Sequence, residues 1–406
     1  MSIKEKMNHR FGDLQGGLFT KVTKADVGEN VGNLIAQGYT MMSWADPFFP
    51  DPSIPASVEK TMIDEIKSGF PSHYTMPMGD RKLRETIAKR IKENYQLELD
   101  PSRNILITPG SDSGLLYAML PFLSEGDEVL IPDPSYPSNF LNAKLCGAKA
   151  IHVPLFSKNN YQIDIQEFEK RITNHTKMVV ITHPNNPTGT VFNKKSLMDL
   201  CDFIKKYDLV LVCDQAFEDH IYDDNEMIAP MTIDGMFERT ITTFSISKGL
   251  GLSGLRVGYI VADDQLMDVY YGGTVNVLGA TNTLAQKAAI TALEDESILK
   301  DYHERLLKRR NIAYEVFSSI PHVKVLKPES GILSWLDVSQ LGTSQEVAAY
   351  ILEHAHISVN EGTPYGEQGE GYLRIVHACL ADDNKAREAF LKIKECLIKL
   401  AKEKGL

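Results

Sequence analysis

A lysine in a serine- and glycine-rich turn is the first group in this chain equipped for nucleophilic chemistry. Lys248 lies in Ser245-Ile246-Ser247-Lys248-Gly249, directly after the strand-like run 240–244. Alone, such a lysine reads as a solvated surface residue. Taken out of water beside other cations, its pKa falls and it attacks carbonyls. Arg256, eight residues on, offers a fork for a dianionic phosphate. Asp214 closes the most apolar run, 209–213, where a carboxylate is paired, exposed, functional or an ordinary helix cap. Gly110-Ser111-Asp112 follows the run 104–108 and opens a helix. Its free N–H groups suit a phosphate, and Ser111 or Asp112 serves equally well as an N-cap. Asn186 precedes Pro187-Thr188-Gly189, and Tyr136 stands close to Pro134 and Pro137. Turn chemistry and core packing account for these two individually. Arg374 interrupts the strand-like run 371–375. Periodicity balances an inward arginine, which needs an acidic partner or a carboxylate ligand, against an outward edge charge.

The elements that must position these groups alternate. Strands over 104–108, 128–131, 150–155, 178–182, 209–213 and 240–244 are interleaved with helices over 113–123, 137–145, 166–172 and 194–206. That order predicts an α/β fold: a large domain with a mainly parallel sheet sandwiched by helices. Strands apolar at every position suit a sheet covered on both faces. Ligands gather at the carboxyl ends of such strands, and there five of these strands are followed by the groups above. The C-terminal third predicts a smaller α+β domain, with a long helix over 285–310, strands over 323–326 and 332–336, and helices over 345–354 and 384–402. The first fifty residues are expected to join that small domain. The expected division is 1–50, 51–290 and 291–406.

Acidic residues outnumber basic ones, 54 to 43, for a net charge of −11. No basic excess exists to bind nucleic acid or an anionic membrane surface. The first thirteen residues hold no apolar stretch, and no run approaches the roughly 20 apolar residues of a membrane helix, so a cytoplasmic protein is expected. Five scattered cysteines without a Cys-x-x-Cys read as reduced core thiols, and no metal site is expected. One ligand class unites the remaining groups. A planar aldehyde bearing a phosphate needs an amine to form a Schiff base, a carboxylate to keep its ring nitrogen protonated, a phosphate cup and an aromatic to stack on it. Pyridoxal phosphate fits that list.

From about Leu34 to its end, the chain resembles class I/II aminotransferases of the fold type I pyridoxal-phosphate superfamily, of the aspartate aminotransferase type. The motifs are Tyr74-x4-Gly79-x3-Leu83-Arg84, Gly110-Ser-Asp, Asp133-Pro-Ser-Tyr136-Pro, Asn186-Pro-Thr-Gly, Asp214, Ser245-x-Ser-Lys248, Arg256 and Tyr372-Leu-Arg374. The resemblance implies that Lys248 carries the cofactor and shuttles the proton, while Asp214 partners the pyridine nitrogen. Asn186 then bonds the phenolic oxygen and Tyr136 stacks on the ring. Ser111, Asp112, Ser245 and Arg256, with Ser247, form the phosphate cup. Tyr74 reaches the phosphate of a neighbouring subunit, which implies a homodimer with shared sites. Arg374 pairs with the substrate α-carboxylate, helped by Asn186 and the Ala45 backbone. Two positions depart from the family pattern. Phe217 stands where a tyrosine is common, three residues after Asp214, and Trp44-Ala45-Asp46-Pro47 replaces a glycine-containing stretch. The expected activity is ping-pong transamination from an L-amino acid to a 2-oxo acid. A carbon–sulfur β-lyase on the same scaffold is the nearest alternative, and a non-catalytic ligand-binding protein is a remote one. A nicotinamide enzyme is disfavoured, because Gly249-x-Gly251-x-x-Gly254 follows no first strand and is explained by the lysine turn.

Overall fold

Alternation within single strands builds the central layer. The computed structural model describes residues 3–12, 14 and 29–406. Its strands begin with the two-residue β1 (Thr40–Met41). There follow β2 (Ile105–Thr108), β3 (Glu128–Asp133), β4 (Lys149–Pro154), β5 (Thr176–Thr182), β6 (Val210–Asp214), β7 (Thr240–Ser245) and β8 (Gly258–Val261). The last seven form one sheet in the order β2-β8-β7-β6-β5-β3-β4. Met178 and Val180 of β5 pack with Val129, Ile131 and Val212. Val179 and Ile181 pack on the other face with Leu130, Leu211 and Cys213. Successive strand residues point to opposite faces, so a strand apolar throughout must be buried on both. Each fully buried side chain of this kind contributes about 1.5–3 kcal/mol.

The sheet is parallel except at β8, which pairs antiparallel with both β2 and β7. Because β8 runs alone against the rest, the carboxyl ends of β2, β3, β5, β6 and β7 share one edge. Local sequence did not announce β8, a four-residue strand that begins on a glycine after a glycine-rich turn.

The second sheet uses β9 (Lys324–Val325), β10 (Leu333–Asp337), β12 (Asn360–Glu361) and β13 (Tyr372–Val376), in the antiparallel order β12-β13-β10-β9. Beside it, β1 pairs in parallel with β11 (Ile357–Ser358), and the Val376 N–H donates to the Met42 carbonyl at 2.8 Å. Leu336, Leu373 and Ile375 pack there against Phe317 of helix Glu296–Phe317 and Phe390 of helix Asp383–Glu403. Residues 15–28 of the N-terminal segment lie outside the described residues.

Three expected boundaries are corrected. The single helix over 285–310 is two, Thr283–Glu294 and Glu296–Phe317, separated at Asp295. The Asp295 carboxylate accepts the Ser297 N–H at 3.2 Å and the Ser57 hydroxyl at 2.8 Å. An aspartate held as an N-cap outweighs the continuous apolar periodicity that suggested one helix. The strand over 323–326 contracts to β9. The helix expected over 113–123 is Ser111–Met119, so Ser111 and Asp112 belong to its first turn.

Candidate active site

Five strand ends and the second sheet enclose a cavity of about 430 Å³. After β2, Gly110 holds φ at 87° and precedes the helix Ser111–Met119, and no side chain caps that N-terminus. The first N–H groups therefore remain available to an anion. A Cβ on Gly110 would fall 2.3 Å from Nη2 of Arg256, so the guanidinium lies directly against this turn. At the end of β7 the Ser247 N–H donates to Ser245 Oγ at 3.0 Å, which brings both hydroxyl-bearing residues to the same place. N–H groups, hydroxyls and a guanidinium so arranged are chemically able to hold an anion.

Beyond β3, the Tyr136 hydroxyl donates to Asp112 at 3.0 Å. Asp214 is the last residue of β6 and only 4% exposed. Its carboxylate accepts the Ala216 N–H at 3.2 Å and the Thr243 hydroxyl at 3.5 Å. Burial, reinforced by the nearby Asp112 charge, pushes its pKa up to about 7. The Lys248 ammonium donates to the Ala45 carbonyl. Burial pulls its pKa down to about 8; the Arg374 and Arg256 charges act in the same direction, and the Asp46 carboxylate opposes them.

Arg374, on β13, is 2% exposed and settles the earlier balance: it points inward. Its Nε and Nη2 both donate to Asn360 Oδ1, at 3.1 and 2.6 Å, and Nη2 also donates to the Ser43 carbonyl at 2.8 Å. Nη1 lies 3.5 Å from Asn186 Oδ1. Every one of these acceptors is neutral. Among the described residues no carboxylate comes within ion-pair distance of this guanidinium.

The cavity wall thus gathers Ala45, Ser111, Asp112, Tyr136, Asn186, Asp214, Ser245, Ser247, Lys248, Arg256 and Arg374, with Trp44 and Phe217 beside them. Tyr74 stands apart from this wall and is 94% exposed. Sequence reasoning did not single out Asn360, Ser43 or Ser253. Asn360 faces Arg374 across the β12–β13 pairing, and Ser253 donates to Asp46 at 2.5 Å. Ser253 occupies an unspecified position of the glycine stretch 249–254, the other two sit in no motif, and only the strand register would have marked Asn360. All five cysteines are buried and free. Among the described residues no cluster of metal-ligating side chains occurs, and no helix is long and apolar enough to cross a membrane.

The family model for aminotransferase class I and II matches residues 46–391. An aspartate aminotransferase of Pyrococcus horikoshii is 32% identical over 356 residues, 86% of this chain and 88% of its own. The aromatic-amino-acid aminotransferase 2 of Thermococcus litoralis is 30% identical over 361 residues, 88% of this chain and 91% of its own. The solved structure of an aromatic aminotransferase from Pyrococcus horikoshii superposes with a TM-score of 0.84 at 27% identity, covering 92% of this chain and 99% of that one. These relatives are transaminases by name, and nothing in the comparisons favours the β-lyase alternative. A match from residue 46 to residue 391, over a fold whose strand ends converge on one lysine, places this chain in the class I and II aminotransferase family.

Proposed function

We propose that the cavity holds pyridoxal phosphate and transfers an amino group from an L-amino acid to a 2-oxo acid. The observation that carries this reading is the meeting of a lysine of lowered basicity, a buried aspartate and a carboxylate-free arginine in one wall. The residues fit the cofactor on three counts. Asp214 is a buried carboxyl pushed toward its neutral form, and a protonated ring nitrogen would supply the cation it lacks. The uncapped helix start at Gly110, with Ser111, Asp112, Ser245, Ser247 and Arg256, supplies the phosphate cup. Tyr136, bonded to Asp112, and Asn186, 3.5 Å from Arg374 Nη1, line the same cavity and supply partners for the ring and its phenolic oxygen.

Bound there, pyridoxal phosphate supplies a carbonyl carbon that bonds amines and a ring that accepts the electron pair left at Cα. Lys248 Nζ does the proton work. With its pKa near 8, a substantial fraction is neutral just above neutral pH and can take the Cα proton and return it. Arg374 holds the α-carboxylate, and Asn360 and Ser43 hold Arg374 in the fork orientation that a carboxylate requires. Asn186 and the Ala45 backbone complete that end. The reaction is ping-pong, because the donor leaves as a 2-oxo acid before the acceptor enters the same cavity.

The reading extends to a cytoplasmic homodimer with shared sites. Tyr74 is almost wholly exposed and belongs to a stretch of sequence in which Ile63, Ile66, Phe70 and Met76 are exposed too, which supports its reaching a partner's phosphate cup. It also extends to the division at 1–50, 51–290 and 291–406; the pairing of β1 with β11 supports the first boundary, while the second falls inside helix Thr283–Glu294, a few residues before the break at Asp295. Lys248→Ala tests the core of the proposal. Turnover with an amino acid and 2-oxoglutarate should fall by at least about 10²–10⁴-fold. Borohydride reduction should covalently trap the cofactor on the wild type at Lys248 and not on the variant. A variant with wild-type turnover, or a reduced label on another lysine, overturns it.

A further inference from the structure

Asp133 ends β3, three residues before Tyr136, and is 1% exposed. Its carboxylate takes three partners. The Glu367 N–H donates to Oδ2 at 2.8 Å and the Gln368 N–H to Oδ1 at 3.0 Å, while His152 Nδ1 lies 2.8 Å from Oδ2. Glu367 and Gln368 belong to the segment 363–370, which leads into β13. The approach is close enough to dictate a glycine. Gly366 holds φ at 127°, and a Cβ there would fall 2.1 Å from Asp133 Oδ1. One residue earlier, the Tyr365 carbonyl accepts the Ser135 N–H at 2.8 Å, and the Tyr365 ring lies 5.0 Å from the Arg374 guanidinium. His152 is fixed in turn by stacking on Phe140, with centroids 4.5 Å apart. Asp133 holds the imidazole more basic than usual, which favours an ion pair. A single buried carboxylate therefore joins the turn bearing Tyr136 to the support beneath Arg374.

We propose that Asp133, braced by His152, is a positioning residue that sets Arg374 against the substrate carboxylate by pinning segment 363–370 to the end of β3. The proposal rests on the reading of Arg374 as the carboxylate site. Asp133→Asn tests it in the loaded enzyme. An amide presents an NH₂ to one N–H that the carboxylate accepted, so one anchor is lost without a change of volume. Loss of one charge-assisted anchor weakens binding of the substrate carboxylate in ground state and transition state alike, and should raise KM for both the amino donor and the 2-oxo acid by about tenfold. The kcat should stay within about threefold, and cofactor absorbance and retention should be unchanged. His152→Ala, at a ring one-third exposed, should shift both KM values the same way by about threefold. KM values within twofold of wild type in a folded Asp133→Asn protein refute the proposal, as does a fall in kcat with KM unmoved. If Asp133→Asn does not fold, His152→Ala decides alone, and an unchanged KM there refutes it. Arg374→Ala separates the two readings. If it leaves KM unchanged, the carboxylate site itself is wrong; if it raises KM while the Asp133 and His152 variants do not, only the positioning role fails.

Discussion

Replacing Asp214 by asparagine should stabilise the cofactor-free protein at neutral pH while disabling the loaded enzyme. Burial and the Asp112 charge raise the folded-state pKa of Asp214 from the ordinary 3.8 to about 7. Between those values the folded protein keeps a proton that the unfolded chain has released. Unfolding free energy therefore falls as pH rises through that window, by up to about 1.4 kcal/mol per pH unit, and levels off above about 7. The full loss is about 4 kcal/mol, an upper bound because the site relaxes. Asparagine carries no charge at any pH, fills the same volume and keeps an oxygen to accept the Ala216 N–H. Lys248 titrates too, but its pKa is lowered to about 8, so its contribution rises only between about 8 and the ordinary 10.5. Below pH 8 it is flat and common to both proteins. Urea unfolding of the cofactor-free proteins from pH 5 to 8 should show wild type losing stability relative to the variant, because the other buried titrating groups, such as Glu218, His183 and His220, are common to both and cancel in the difference. A gap of about 2–4 kcal/mol in favour of asparagine is expected at pH 8. Adding pyridoxal phosphate should reverse the order, since a cation facing Asp214 turns its penalty into an attraction. A gap that does not change with pH, or a variant weaker than wild type at pH 8, refutes the assignment of a buried carboxyl awaiting a cation.

Two further substitutions probe the frame around the site. Gly110→Ala forces a side chain into φ 87° and against Arg256, and should weaken pyridoxal phosphate binding at least about tenfold in equilibrium dialysis. Wild-type affinity would show that the turn does not shape the cup. Asp219→Ala strips its carboxylate from the Arg90 guanidinium, which is 15% exposed; Glu218 remains 3.8 Å away. A buried ion pair broken from one side costs about 3–5 kcal/mol, and the remaining carboxylate places this one near 3 in urea unfolding. A cost under about 1 kcal/mol would mean that Arg90 is solvated rather than held by the pair.

Lys248, Asp214, Asn186 and Gly110 were legible because each follows a short run of apolar and β-branched residues, and a parallel sheet presents the residues after its strands on one edge. Their individual signals were weak, and it was their recurrence at the same end of successive strands that pointed to a site. What local sequence withheld depends on pairing across distance. Asn360 reaches Arg374 through a cross-strand register, and nothing around residue 360 marks it. The antiparallel β8 is dictated by its neighbours β2 and β7 rather than by its own four residues. At Asp295, a capping preference and a helical period compete within a few residues, and periodicity alone reads through the break.

Burial by itself does not distinguish an arginine matched within the chain from one left without a charged partner. Among the described residues, three arginines are no more than 2% exposed: Arg309, Arg310 and Arg374. Arg309 lies 2.9 Å from the Asp383 carboxylate and Arg310 lies 2.8 Å from Asp223. Each of these two charges is matched within the chain, as a buried guanidinium must be if the fold is to tolerate it. Arg374 makes equally short bonds, but only to an amide and a carbonyl, which orient the guanidinium without neutralising it. The same contrast holds for Asp214, whose partners are an N–H and a hydroxyl. A buried carboxyl that stays neutral by keeping its proton, and a guanidinium held only by neutral acceptors, are both left able to take a charged partner from outside. On the proposed function those partners are a phosphate, a ring cation and an α-carboxylate, and a net charge of −11 distributed over the rest of the surface does nothing to supply them.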